Sequence, residues 1–155
     1  MTKKEIKKAI ETGVKFYEVI NNNFYEERDL ALKKAFGENY GYKKDENTYE
    51  ESYTIDGVTY VNTEEIVKTV FGIKTSDDYN DLLKELTDDA ITDVEEGEVT
   101  TSDPLSLLLG FLVGEENGGV VLSKENGEVT IIADGFSVYP PSYTVEEFLK
   151  TYSKK

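Results

Sequence analysis

Along this chain apolar residues recur first at helical spacing, then in alternation, then at helical spacing again, with caps or turn residues at each change. Thr2 and Glu5 form a capping box. Ile6, Ala9, Ile10, Gly13, Val14 and Tyr17 follow at helical spacing and predict a helix to about Ile20, ended by Asn21-Asn22-Asn23. A second helix is expected from Tyr25 to Phe36, with Leu30, Leu32, Ala35 and Phe36 apolar and Gly37 as its stop. Residues 38–48 are polar and read as a loop.

Tyr49–Ile55 alternates, Asp56-Gly57 is a type I′ turn signal, and Val58–Val61 returns. In the expected hairpin Ile55 faces Val58 and Tyr53 faces Tyr60. Asn62 caps the next helix, with Glu65 three residues on and Ile66, Val67, Val70 and Phe71 ahead of Gly72. Ser76 is expected to cap another, turning Tyr79, Leu82, Leu83 and Leu86 inward and Asp77, Asp78, Asp81 and Glu85 outward. Residues 87–103 are acidic and Thr-rich, and read either as a mobile loop or as an irregular edge strand.

Asp103-Pro104 opens a short helix whose body, Leu105 to Val113, is apolar nearly all round and so is expected in the middle of the core. An antiparallel meander follows: Val120–Ser123, a turn at Lys124–Gly127, Glu128–Ile132, then Phe136–Tyr139, with Pro140-Pro141 stopping the sheet. Tyr143, Thr144, Glu147 and Phe148 fit a capping box with a hydrophobic staple that starts a last helix to about Tyr152. The pattern describes one α+β domain: an N-terminal helical pair, a hairpin, central helices including a short buried apolar one, and a C-terminal three-stranded meander closed by a helix.

Composition adds one strong constraint. The 155 residues carry 32 acidic and 17 basic side chains, net −15 at pH 7, with no His and no Cys. High charge with modest hydrophobicity is the mark of disorder, but the 11 Tyr and 7 Phe and the periodic apolar blocks argue for a folded chain. Between residues 75 and 103, eleven carboxylates face the single Lys84: Asp77, Asp78, Asp81, Glu85, Asp88, Asp89, Asp93, Glu95, Glu96, Glu98 and Asp103. Such a surface repels nucleic acid and anionic membrane and attracts basic surfaces. The longest apolar block falls far short of the ~20 residues that span a bilayer. With no secretory signal and no cysteine, a cytoplasmic protein is expected.

Lack of His and Cys removes the Ser-His-Asp and Cys-His arrangements and the thiolate and imidazole metal sites. No G-x-x-x-x-G-K-[ST] occurs, no G-x-G-x-x-G follows a strand, and Gly135-Phe136-Ser137 lacks the second Gly of a nucleophile elbow. Around Gly97 the first position of a calcium loop is Thr92, so the ligand order fails. Glu64 to Leu86 has the outline of a helix-turn-helix, but Asp77, Asp78, Asp81 and Glu85 on its second helix would be expelled from a DNA groove. Neither catalysis, nor a cofactor, nor a metal is expected.

The acidic strip reads as a solubility feature, a docking surface for a basic protein, or a cation site. Docking needs apolar or aromatic anchors beside the charge, and Tyr79, Ile91 and Val94 are the candidates there. Tyr40 and Tyr42, in the polar stretch near Lys43 and Lys44, are further surface-contact candidates. Tyr49, Tyr53 and Tyr60 on the hairpin form either a binding patch or a half-buried face packed on a helix.

Asn117-Gly118-Gly119, Gly127-Glu128-Val129 and Val145-Glu146-Glu147-Phe148-Leu149 lie in a stretch that resembles the C-terminal pattern of SUKH-type immunity domains. It covers about a fifth of the chain and lacks that superfamily's earlier Leu-Pro and aromatic signature, so no residue role is carried over. In composition the chain is similar to phage-encoded inhibitors of host defence, nucleic-acid mimics among them, and to toxin-neutralising immunity proteins. The expectation is a non-enzymatic binding protein that occupies a basic surface of a nucleic-acid-handling partner. The alternatives are an immunity protein against a basic toxin, and a carboxylate-based cation-binding module or enzyme.

Overall fold

The computed structural model describes residues 1–94, 99–101, 104–114, 120–133 and 138–155. The fold is α+β, with helices α1 (Lys3–Asn21), α2 (Tyr25–Phe36), α3 (Thr63–Phe71), α4 (Ser76–Thr92), α5 (Pro104–Val113) and α6 (Val145–Tyr152). Strands β1 (Gly41–Lys44), β2 (Glu51–Ile55) and β3 (Val58–Tyr60) form one antiparallel sheet in that order. Strands β4 (Val99–Thr101), β5 (Val120–Glu125), β6 (Glu128–Ala133) and β7 (Ser142–Thr144) form a second. The chain divides into two compact units, one of Glu11–Ile73 and the other of Met1–Ile10 with Lys74–Lys155.

In the first unit the hairpin has the expected register, Ile55 opposite Val58 and Tyr53 opposite Tyr60. Asp56 and Gly57 both take positive φ at the turn, as a type I′ turn demands. The Asn62 side chain accepts from the Glu65 amide at 3.2 Å and starts α3, and Gly72 at φ 69° ends it. Phe16, Leu32, Ile55, Ile66, Val67, Val70 and Phe71 are buried. The polar stretch read as a loop contains β1, whose Tyr42 pairs with Tyr53 of β2. Its signal is a side-chain anchor rather than an apolar alternation: Asp29 of α2 accepts from the Tyr42 amide at 2.8 Å. A Cβ on Gly41 would sit 2.7 Å from both Asp29 Oδ1 and Lys33 Nζ, so any larger residue would have to displace the ends of these two side chains.

In the second unit Leu82, Leu83, Leu86, Ala90, Leu108, Leu109, Val120, Leu122, Ile131 and Phe148 are buried. α4 begins one residue earlier than the Ser76 cap implies. Thr75 is its N-cap, in a reciprocal box with Asp78. It also runs on through the stretch read as loop or edge strand, to Thr92, because Leu86, Thr87 and Ala90 keep a buried face at helical spacing. The edge strand of that reading is present further on, β4 pairing Thr100 with Ser123 of β5.

The third strand of the meander differs from the expectation. It is β7, beyond the prolines, with Tyr143 opposite Ile131. Val138 and Tyr139 are exposed, and residues 134–137 lie outside the described ones. Pro141 lacks an N–H, but its carbonyl accepts from Ala133 at 3.0 Å, so the pair admits the edge strand instead of stopping it. α5 buries Leu108, Leu109 and Leu112, while Leu105, Leu107, Phe111 and Val113 are only half-buried, so it is not central on all sides. Thr144 caps α6, accepting from the Glu147 amide at 3.1 Å. Among the described residues no helix is long and apolar enough to cross a membrane.

Candidate functional site

α4 is amphipathic in a particular way. Tyr79, Leu82, Leu83, Leu86 and Ala90 face inward, and Asp77, Asp81, Glu85 and Asp88 are exposed at steps of four, four and three residues. That spacing places the four carboxylates on one face. Lys84 is exposed among them.

The two ends of the helix treat their acids differently. At the N-terminal end Asp78 accepts from the Lys74 and Thr75 amides at 3.0 and 3.2 Å, and these bonds, with the Met1 ammonium at 3.4 Å, hold its carboxyl below the usual range. The same ammonium donates to Asp81 at 3.0 Å, and this bond raises the amine's affinity for its proton. Acids there also complement the macrodipole.

At the C-terminal end lie Asp88, Asp89 and the cap residue Asp93, with no basic residue in the last turn. They stand against the negative end of the dipole and against one another. Partial burial, then the charges of Asp88 and Asp93, push the Asp89 carboxyl above its ordinary range. Glu95, Glu96, Glu98 and Asp103 lie outside the described residues.

The expected anchors do not all reach the surface. Tyr79 is 4% exposed beneath the Lys154 ammonium, which sits 4.4 Å from its ring, and Val94 is also buried. Both are core residues because they fall on the apolar face of α4 or its immediate extension. Ile91 is half-buried and keeps an accessible edge. In the other unit Tyr42 is 8% exposed and donates to Glu51 at 2.6 Å, which corrects its assignment as a surface contact. Tyr40 is half-buried and stacks on Phe36 at 4.7 Å. Tyr53 packs on Phe16 of α1 at 5.7 Å, as the packed-face reading of the hairpin requires, whereas Tyr49 lies outside the strand and is exposed.

Sequence reading passed over Tyr25, Lys44 and Tyr49 as a group, because 24 residues separate the first from the last. The structure gathers them at one cleft. Among the described residues no group of three or more carboxylates is placed to hold a metal ion. No family model, no curated protein and no solved structure matches this chain.

Proposed function

We propose that this is a non-enzymatic binding protein whose α4 carboxylates dock on a basic surface of a nucleic-acid-handling protein. The observation that carries the reading is the C-terminal end of α4. Asp88, Asp89 and Asp93 break the charge rule for a helix end, and the last turn of α4 holds no basic residue. Local rules are broken mainly where function requires it, and a cationic partner relieves this conflict directly. The linear charge density points to the kind of partner. Six acids over a helix of 17 residues give one per about 4.3 Å of axis, of the same order as the ~3.4 Å per phosphate along one DNA strand. A phage-encoded inhibitor and an immunity protein against a basic toxin demand the same electrostatics, and we favour the inhibitor. Lack of cysteine suits a reducing interior, and we place the protein in the cytoplasm.

The test is capture from bacterial lysate at low and near-physiological salt, comparing the wild type with Asp88→Lys/Asp89→Lys. One stoichiometric basic partner, held by the wild type at the higher salt and lost by the variant, supports the reading. A mixture of basic proteins that salt removes from both would reduce the acidity to a solubility feature.

A further inference from the structure

We propose that the cleft between α2 and the β1–β2 turn receives a lysine side chain from a basic peptide, and that Lys44 of this chain fills it when no peptide is bound. The cleft has a volume of about 540 Å³ and is lined by Tyr25, Tyr42 and Tyr49, by the carboxylates of Glu26, Asp29, Asp45 and Glu46, and by Lys43 and Lys44. Aromatic faces bounded by carboxylates are complementary to an alkylammonium, whose charge the rings attract and whose stem they pack.

The cleft already holds that chemistry. The Lys44 ammonium lies 3.8 Å from the centroid of the Tyr25 ring and 5.7 Å from that of Tyr49. Arg28 is the second cation here, 4.9 and 5.0 Å from the Tyr25 and Tyr42 rings, and it is fixed. It donates to the Tyr53 hydroxyl at 3.0 Å and to the Asn23 carbonyl at 3.2 Å. No such bonds fix Lys44: among the described residues its ammonium has neither an ion pair nor a hydrogen bond, and the rings alone hold it. It is therefore the replaceable one.

The turn that carries Tyr49 leaves its ring accessible. Tyr49 is 71% exposed at φ 61°, and its amide donates to the Asp45 carbonyl at 2.9 Å. Asp45 Oδ1 accepts from the Asn47 and Thr48 amides at 2.8 and 2.9 Å, so the turn that presents the ring is fixed from within. Tyr25 is 48% exposed. This site lies outside α4 and is independent of the function proposed for that helix.

The experiment is an NMR titration of the full chain with a short capped glycine peptide bearing one central lysine, and with its norleucine counterpart. Lys44→Met removes the internal occupant and is expected to tighten the lysine peptide about three- to fivefold, the scale of one partly exposed cation–ring contact. Lys34→Met, an exposed position on α2, makes the same change in net charge and is expected to leave affinity unchanged. Tyr25→Leu and Tyr49→Leu keep the net charge and are expected to weaken binding by a similar factor each. Both positions are exposed, and unchanged amide shifts for the α3 core report an intact fold. The norleucine peptide is expected not to bind.

Equal tightening by Lys44→Met and Lys34→Met would overturn the proposal, as would indifference to both Tyr substitutions. So would free tetramethylammonium binding as tightly as the lysine peptide. Loss of peptide binding in Asp88→Lys/Asp89→Lys alone would assign the ammonium to α4 instead.

Discussion

The ring of Phe71, at the end of α3, packs on α1 at Gly13 with no room for a Cβ between them. Phe71 is 2% exposed, so the ring has nowhere to retreat. On helix propensity alone Gly13→Ala should stabilise α1 by about 1 kcal/mol. The packing reverses the sign. Gly13→Ala is expected to destabilise by about 1–3 kcal/mol in chemical denaturation, as overfilled cores do. The double variant with Phe71→Leu is expected to recover part of that loss. A stabilised single variant would show that the ring and helix do not meet this way.

Asp89 offers a test with the opposite direction. Its carboxyl has a raised affinity for protons in the folded state, from partial burial first and then from Asp88 and Asp93. The folded chain therefore binds more protons than the unfolded one between the ordinary value of 3.8 and the raised folded value. The contribution is fully present below the unfolded value and is lost as pH rises through the folded one. At neutral pH Asp89→Asn is expected to stabilise by about 0.3–1 kcal/mol, the usual scale for a charge at a helix end. That gain is expected to shrink as pH falls through the window. A variant less stable than wild type at pH 7 would contradict the strain assigned to the end of α4.

Tyr42 gives an alkaline counterpart. Burial first, then the hydrogen bond to Glu51, raise its hydroxyl above the ordinary value of 10.0. The sign is the same as for Asp89: stability is present below the unfolded value and lost as pH rises through the folded one. In an ultraviolet titration Tyr42 is expected to ionise above the ordinary phenol range. Tyr42→Phe is expected to remove one late-titrating phenol. Full ionisation of all eleven Tyr in the folded protein near pH 10 would contradict this.

The helices and the hairpin were legible because their signals are local. Asn62 with Glu65, Thr144 with Glu147, and Asp56-Gly57 each fix a boundary within four residues. What escaped depends on partners distant in sequence. β1 is held by Asp29, 13 residues away, and Gly-Tyr-Lys-Lys shows no alternation of its own. β7 follows two prolines, and its entry depends on a carbonyl rather than an N–H. The acids of α4 could be assigned to its outer face, but Tyr79 and Val94 could not be separated from surface anchors until their burial was known. Tyr25, Lys44 and Tyr49 had no shared motif at all, since a ring contact leaves no spacing rule in the chain.

The most direct measurement of the central claim is competition on the captured basic partner. Duplex DNA bound to that partner is titrated with this protein at near-physiological salt, and DNA release is followed by fluorescence anisotropy. The expected result is displacement by the wild type, with Asp88→Lys/Asp89→Lys at least about tenfold weaker, on the scale of lost interfacial charge pairs. A ternary complex in which DNA stays bound, or equal displacement by the variant, would contradict the claim that α4 takes the place of nucleic acid.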